Sequence, residues 1–235
     1  MSIWQDLKQL CWHGGKCPVC GKGVSDDLLC PDCRNMLNGL FSCHSCGNFI
    51  ALNRYDEHTC AKPADADALL ACFPYTAALK TRLRGLKYFN KPQTAGSFGN
   101  LLAAKWRDFA VDITIAEAIV PVPLHPARFA ERGYNQSELL ANALRRELHL
   151  PVYAHAVIRT KNTSAQYALS PTQRAENLQD AFAGGRDLPK VRGKSIILLD
   201  DIITTGATMR GCASVLRQNG ATAVYGLAVG GHLIK

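Results

Sequence analysis

Residues 196–208 read Ile-Ile-Leu-Leu-Asp-Asp-Ile-Ile-Thr-Thr-Gly-Ala-Thr, and this stretch decides the fold. The apolar run at 196–199 predicts a central strand of a parallel sheet, because such a strand is buried on both faces. Asp200 and Asp201 follow at the carboxyl end of that strand, where open α/β sheets bind their ligands. A helix is predicted over 207–219, after the turn. The stretch therefore predicts an α/β protein with a polar ligand at this end of the sheet.

The turn after the acid pair has the chemistry of a phosphate site. Gly206 permits a backbone that turns N–H groups inward, and the start of the next helix at Ala207 favours an anion. The hydroxyls of Thr204, Thr205 and Thr208 add hydrogen-bond donors. The two carboxylates can accept hydrogen bonds from ribose hydroxyls and can orient hydrated Mg²⁺. Neither a P-loop nor a Gly-x-Gly-x-x-Gly dinucleotide motif is present in the sequence.

The chain after residue 68 alternates predicted helices and strands, which is typical of a parallel sheet covered on both faces. Helices are predicted over 76–91, 94–109, 135–148 and 172–180, and strands over 118–122, 152–158 and 223–229. The polar stretch 160–172 is predicted to be a mobile loop. We place a boundary at 61–67, between a small module at 1–62 and a larger domain at 68–235.

Eight of the ten cysteines lie in the small module, seven of them between residues 17 and 60. Two Cys-x-x-Cys pairs separated by nine residues predict one tetrahedral zinc site, because each pair supplies two thiolates; its ligands are Cys17, Cys20, Cys30 and Cys33. A third pair, with a less regular partner, predicts a second zinc site at Cys43, Cys46, His58 and Cys60. A metal-free second site and cross-bracing between the pairs at 17/20 and 43/46 are the alternatives. The other cysteines, Cys11, Cys72 and Cys212, are predicted to be packed thiols.

The signature at 196–208 closely resembles that of type I phosphoribosyltransferases, matching at every position. The segments Val-Pro-Val-Pro at 120–123 and Arg-Gly-Tyr-Asn-Gln at 132–136, with Gln166, Leu169, Arg174, Asn177 and Phe182, resemble the ComF/GntX family. The resemblance spans nearly the whole chain. It implies a type I phosphoribosyltransferase-like α/β fold with an N-terminal double zinc ribbon.

The same resemblance implies a ligand and its contacts. The ligand is phosphoribosyl diphosphate with magnesium, its ribose 5-phosphate held by Asp200, Asp201 and the loop at 204–208. Asn135 and Gln136 are expected to hydrogen-bond nearby, and residues 159–174 to form a lid that excludes water. The expected diphosphate contacts lie in the preceding loop and in that lid: Pro123, Leu124, Arg128, Arg132, Lys161 and Arg174. A solvated helix start for Arg128 and Arg132, and a flexible surface position for Lys161, are the alternatives.

The sequence is compatible with two roles. The first is a phosphoribosyltransferase linked, as the ComF/GntX family is, to DNA uptake and natural competence. The second is a non-catalytic protein that senses phosphoribosyl diphosphate, or an adaptor that binds single-stranded DNA or DNA-uptake proteins. A simple zinc-dependent DNA-binding module is less favoured, because residues 1–72 hold six Lys/Arg against eight Asp/Glu.

The basic residues cluster in the larger domain. The formal net charge is +8, and between Asp67 and Asp108 the sequence has seven Lys/Arg and no acid. Four of these share one helix face opposite a leucine stripe at 79, 83 and 86, namely Lys80, Arg84, Lys87 and Lys91. This face is either a solvated helix surface or a contact for nucleic-acid phosphates. No apolar run approaches membrane-span length and the N-terminus has no leader pattern, so a cytoplasmic protein is expected.

Overall fold

The computed structural model describes residues 15–25, 27–60, 65–88, 93–110, 116–161 and 181–234. The cysteine-rich segment forms small elements: β1 (Gly15–Lys16), β2 (Gly23–Val24), α1 (Pro31–Asn35), β3 (Leu40–Ser42) and β4 (Phe49–Ala51). A 3₁₀ helix spans Leu52–Glu57. Strands β1 and β2 form an antiparallel hairpin, and β3 pairs antiparallel with β4.

The larger part of the chain forms a parallel sheet with helices. Its elements are β5 (Ala68–Pro74), α2 (Ala77–Tyr88), α3 (Gln93–Phe109), β6 (Ala118–Pro121), α4 (Pro126–Arg132), α5 (Gln136–Leu148), β7 (Val157–Arg159), β8 (Phe182–Gly184), β9 (Ser195–Ile203), α6 (Ala207–Gln218), β10 (Ala223–Gly231) and β11 (Leu233–Ile234). The sheet order is β5-β10-β9-β6, and every neighbouring pair in it is parallel. Strand β9 is therefore an interior strand, as its apolar run predicts.

Apolar layers cover both faces of this sheet. On one face, α2, α3 and α5 pack through a cluster that includes Leu83, Phe98 and Leu140. On the other face, α6 packs with β7 and β8 through a cluster that includes Met209 and Leu216. The predicted α/β class with a parallel sheet covered on both faces is confirmed. None of the helices in the described ranges is both long and apolar enough to span a membrane.

Most predicted elements of the larger part are present within about four residues of their predicted ends, but one predicted strand differs, and β5, α4, β8 and β11 are not predicted. The segment 152–158 is not one strand: Val152 makes a single parallel bridge to Ile119, and the regular strand β7 begins at Val157 and pairs with β8. The strand predicted at 223–229 is β10, which lies inside the sheet between β5 and β9. The predicted helix at 172–180 and most of the predicted loop at 160–172 lie outside the described residues.

The cysteine-rich segment is tied to the sheet by the last described strand. After β10, the chain forms β11, which pairs in parallel with β4, Leu233 opposite Phe49. The Phe49 N–H also donates to the His232 carbonyl at 2.8 Å. At β5, an edge strand of the parallel sheet and the neighbour of β10, the Leu69 N–H donates to the His44 carbonyl at 2.7 Å. Backbone hydrogen bonds therefore join the cysteine-rich segment to β5, the first strand of the larger part, and to the residues that follow β10, its last sheet strand.

Candidate functional site

The acid pair lies at the carboxyl end of β9, as the sequence predicts. Asp200 is half-buried beside Ala228 of β10, and Asp201 is 6% exposed. The hydroxyl of Ser137 donates to Asp200 Oδ1 at 2.9 Å, and the Asp201 N–H donates to the same oxygen at 2.8 Å. Two donors fix the orientation of this carboxylate.

The loop that follows β9 opens onto the start of α6. Gly206 precedes the helix with φ 72° and ψ 2°, a left-handed conformation that disfavours residues with a Cβ. Thr204 and Thr205 are exposed, and the Thr205 Oγ1 accepts from the Ala207 N–H at 3.4 Å. No side chain caps α6 from position 206, and Thr208 lies half-buried in its first turn. The geometry presents hydroxyls and a helix N-terminus on one side, which suits a phosphate group.

Arg210, in the first turns of α6, lies beside this loop and is not among the site residues expected from the sequence. Its Nη1 lies 3.1 Å from the point that a Cβ on Gly206 would occupy, and the Leu69 Cδ1 lies 3.0 Å from the same point. A guanidinium at this distance brings positive charge to the loop, and Arg suits phosphate recognition. The spacing of four residues from Gly206 along α6 is the sequence signal that could have identified it.

The loop after β6 and the start of α5 form the wall beside the acid pair. The Asn135 amide donates to the Val122 carbonyl at 3.0 Å, and its Oδ1 accepts from the Ser137 N–H at 3.0 Å. Asn135 therefore caps α5 and joins it to the loop, which carries Pro123 and Leu124, both half-buried. The expected hydrogen bonds of Asn135 and Gln136 near a bound diphosphate stay a prediction.

Two of the predicted diphosphate contacts are half-buried arginines on α4. Arg132 Nη1 donates to Gln136 Oε1 at 3.0 Å, and Arg128 lies on the same short helix. Lys161 is exposed at the edge of the described chain, and Arg174 lies outside the described residues. The structure therefore places Arg128 and Arg132 beside the loop after β6.

A further arginine near the acid pair is Arg159 at the end of β7. Its guanidinium lies 5.6 Å from the centre of the Phe182 ring, a cation–π contact. Burial lowers its pKa; of the neighbouring charges, Arg128 also lowers it, whereas Cys212 and Asp200 raise it. Arg159 thus interacts electrostatically with Asp200 and with Arg128, which lie 72 positions apart in the sequence. From sequence alone, Arg159 is expected only as the start of a lid.

The predicted ligands of the first metal site are brought together. The ligand atoms of Cys17, Cys20, Cys30 and Cys33 lie within 4.8 Å of one another. The Cys20 and Cys30 sulfurs are 3.5 Å apart, close to the roughly 3.8 Å edge of a tetrahedral Zn–S₄ site. Burial acts to raise the pKa of Cys17, but backbone hydrogen bonds to its sulfur bring the pKa below its ordinary value. The thiolate that a metal requires is therefore favoured at this position.

The ligand atoms predicted for the second metal site are as close together as those of the first. The ligand atoms of Cys43, Cys46, His58 and Cys60 lie within 4.8 Å of one another. The sulfurs of Cys43 and Cys60 are 3.6 Å apart, and Cys46 Sγ is 3.6 Å from His58 Nε2. The two groups are separate, so the cross-braced alternative is not the arrangement in the structure. Two cysteine-rich sites that can hold zinc are therefore present.

The structure also describes two of the three cysteines outside the metal groups and part of the basic face of α2. Cys72 and Cys212 are buried in the core, as predicted, whereas Cys11 lies outside the described residues. On α2, Leu79, Leu83 and Leu86 are buried while Lys80 and Arg84 are exposed on the opposite face. The side chains of Lys87 and Lys91 lie outside the described part of the chain.

Comparison with known proteins identifies the family. Residues 135–229 match the phosphoribosyl transferase domain. The chain is 33% identical over 230 residues to DNA utilization protein YhgH of Escherichia coli K12, covering 92% of this chain and 93% of that protein. The chain belongs to the ComF family. It is also 32% identical over 212 residues to Competence protein F of Haemophilus influenzae, covering 87% and 92% of the two chains.

Among solved structures, the chain aligns with a glutamine phosphoribosylpyrophosphate amidotransferase from B. subtilis complexed with ADP and GMP. The alignment covers 60% of this chain and 29% of that one, with 19% identity and a TM-score of 0.38. This protein is therefore a ComF-type protein, of the competence and DNA-utilisation group, with a phosphoribosyltransferase-like domain and two cysteine-rich sites.

Proposed function

We propose that this protein binds phosphoribosyl diphosphate with magnesium at the carboxyl end of β9 and transfers its phosphoribosyl group to an acceptor. The observation that carries the proposal is the acid pair, oriented by Ser137 and followed at once by the left-handed Gly206 and the start of α6. The carboxylates suit the hydroxyls of a ribose 5-phosphate, and the turn that follows them suits its phosphate. The names of the ComF relatives, DNA utilization protein and Competence protein F, support a role in DNA use or competence.

Each group in the site has a role in this proposal. Asp200 and Asp201 accept hydrogen bonds from the ribose hydroxyls, and they would hold the hydrated magnesium that accompanies the substrate. The loop at 204–208 binds the 5′-phosphate with help from Arg210. The diphosphate faces Pro123, Leu124, Arg128, Arg132 and Arg159, and the positive charge there stabilises the leaving group. Lys161 and Arg174 are the further diphosphate contacts that the family resemblance supplies.

The transfer is a displacement at the anomeric carbon. A lone pair of the acceptor forms the new bond to that carbon while the carbon–oxygen bond to diphosphate breaks, and its electron pair leaves with the diphosphate. The proton lost by the acceptor passes to solvent or to the departing diphosphate. Excluding water matters here, because water is a competing acceptor for the same carbon.

The second candidate function is sensing without turnover. The exposed Lys80 and Arg84 on α2 favour it, because they give an adaptor a surface for nucleic-acid phosphates apart from the ligand site. In this role the protein binds phosphoribosyl diphosphate in the cytoplasm and contacts single-stranded DNA or DNA-uptake proteins. We propose in either role that the two cysteine-rich sites hold zinc.

Calorimetry and a diphosphate-release assay test these functions in order. Titration with magnesium phosphoribosyl diphosphate is expected to show binding to the wild-type chain. Release of diphosphate that depends on an added acceptor, over a panel of nucleobases, amines and DNA ends, supports transfer. Binding without release across that panel supports sensing, and no binding at all contradicts both.

A further inference from the structure

The two metal sites begin with knuckles of the same local geometry. We name residues 17–21 the first knuckle and residues 43–47 the second knuckle. In the first, the Gly21 N–H donates to the Cys17 carbonyl at 2.8 Å; in the second, the Gly47 N–H donates to the Cys43 carbonyl at 2.8 Å. Both glycines are left-handed, with φ of 82° and 72°. The two glycines therefore hold equivalent positions next to their metal ligands.

The knuckles differ in what their glycines touch. A Cβ on Gly21 would meet only the side chain of Arg82, at an ordinary contact distance of 3.7 Å. A Cβ on Gly47 would lie 2.9 Å from the Ile203 Cδ1 and 3.3 Å from the Leu69 Cβ. Ile203 is the last residue of β9, is 1% exposed and immediately precedes the Thr-Thr-Gly turn. The second knuckle thus packs closely against Ile203, the residue directly before the proposed phosphate-binding loop at 204–208.

Further contacts surround this point from the sheet. Gly231 of β10 lies opposite Ile203 in register, and a Cβ on Gly231 would collide with the Gly47 carbonyl oxygen. Leu69 reaches from the second knuckle to the loop, since its N–H bonds the His44 carbonyl and its Cδ1 lies 3.0 Å from a Cβ on Gly206. Close-packed contacts of this kind transmit a displacement, because there is no void to absorb it.

We infer that Gly47 is a positioning residue for the ribose-phosphate loop, and that the second metal site fixes the loop by holding Gly47 against Ile203. A metal held by Cys43 and Cys46 would close the knuckle directly before Gly47, and the packing of Gly47 against Ile203 would then set where β9 ends. The inference rests on the proposed function for the ligand, but the contact itself does not depend on it. Coupling of this kind is reciprocal, so a ligand on the loop also retains the second metal.

Alanine at the two knuckle glycines tests the inference with a matched control. Gly47→Ala and Gly21→Ala impose the same left-handed strain beside equivalent metal ligands, but only Gly47→Ala displaces Ile203. Hydrogen exchange of the full-length zinc-loaded protein without ligand is expected to speed up across residues 203–209 in Gly47→Ala only. The affinity for ribose 5-phosphate by calorimetry is expected to fall about tenfold in Gly47→Ala, about 1.4 kcal/mol, and to stay near wild type in Gly21→Ala.

The outcomes separate this inference from the proposed function. If wild type does not bind ribose 5-phosphate, the proposed function fails, and the exchange comparison still decides the positioning role. If Gly47→Ala and Gly21→Ala change exchange at residues 203–209 equally, the positioning role is wrong.

A second pair of variants covers the case in which Gly47→Ala does not fold. Ile203→Val removes the Cδ1 that faces Gly47, whereas Ile196→Val makes the same change in the same strand and the same apolar cluster, far from the knuckle. Release of zinc to a colorimetric chelator is expected to be faster for one of the two ions in Ile203→Val and unchanged in Ile196→Val. Equal release from the two variants overturns the inference.

Discussion

Ser137 donates a hydrogen bond of 2.9 Å to Asp200, although 63 residues separate the two in sequence. Ser137 is 1% exposed and stands in the first turn of α5, whose N-cap is Asn135. Because the same Asn135 also holds the loop after β6, one short motif fixes the acid pair and the wall beside it. The segment at 132–137 therefore orients Asp200 through Ser137, in addition to contributing the positive charge of Arg132.

Replacing Ser137 is expected to weaken ligand binding more than it weakens the fold. Ser137→Ala removes a buried hydrogen bond to a charged group, worth about 1.5–3 kcal/mol, so the affinity for magnesium phosphoribosyl diphosphate should fall roughly tenfold or more. Ser195→Ala, a buried serine at the opposite end of β9, is the control and should leave the affinity unchanged. Calorimetry on both variants decides, and equal affinities would show that Ser137 does not position Asp200.

The sequence predicts the site loop better than it predicts its surroundings. The stretch at 196–208 carries its own strand, turn and helix signals, so β9, Gly206 and α6 follow from local pattern. Strand β5 was missed because its apolar run, Ala68–Pro74, directly follows a polar boundary segment and is too short to tell from a buried helix turn. Its assignment needs the parallel pairing with β10, which is a long-range contact.

The errors elsewhere have the same origin. The segment 152–158 has strand-forming residues, but it meets the sheet only at Val152 and Tyr153, beside Ile119, and the chain then leaves the sheet to form the separate hairpin of β7 and β8. The roles of Arg159 and Arg210 depend on which side chains the fold brings beside Asp200 and Gly206. The metal groups, in contrast, were found from spacing alone, because a knuckle is a local structure with a fixed ligand interval.

Loss of one ligand is expected to remove one zinc ion. Cys30→Ser breaks the first site, and because metal binding stabilises such a small segment, the melting temperature should also fall. Elemental analysis of freshly purified protein should give two zinc ions for wild type and one for Cys30→Ser. Cys72→Ala, which changes a buried thiol outside both groups, should keep two. Wild-type protein without zinc would contradict the assignment of these sites.

The two core thiols are expected to resist alkylation. Burial raises the pKa of Cys72 to about 12 and raises that of Cys212 well above its ordinary value, so both stay as unreactive neutral thiols at pH 8. Peptide mapping after iodoacetamide treatment should find both unmodified in the folded protein, even when a chelator has removed the metal. Unfolding in guanidinium should make all ten cysteines reactive. Modification of Cys212 in the folded state would contradict its burial.

The exposed basic face of α2 gives a test of nucleic-acid binding. If it contacts single-stranded DNA, Lys80→Ala plus Arg84→Ala should weaken binding and reduce the slope of log K against log salt by about 1.4. The affinity for phosphoribosyl diphosphate should not change. Arg145→Ala plus Arg146→Ala removes the same charge from exposed positions on α5 and separates a local contact from an effect of net charge. Equal losses in both double variants, or no DNA binding at low salt, would reject this face as the contact.

The acid pair and the glycine after it should each be required for ligand binding, for different physical reasons. Asp200→Ala plus Asp201→Ala removes the acceptors for the ribose hydroxyls and the oxygens that orient magnesium. Truncating one side of a buried charged hydrogen bond costs about 2–5 kcal/mol, which is roughly 30-fold or more in affinity. Asp187→Ala, which removes a carboxylate paired with Lys190 away from the loop, is the charge control and should bind normally.

Gly206→Val keeps every charge but puts a β-branched side chain at a left-handed position, against Leu69 and Arg210. Gly193→Val is its matched control, because Gly193 has φ of 73° and no described atom lies within 4 Å of its Cβ position. Both variants bear the same backbone strain, so only Gly206→Val should abolish binding. Ribose 5-phosphate should compete in wild type, because it carries both recognised parts, and inorganic diphosphate without magnesium should compete less well. If the double aspartate variant binds magnesium phosphoribosyl diphosphate as tightly as wild type, the acid pair is only a structural turn, and the proposed function fails with it.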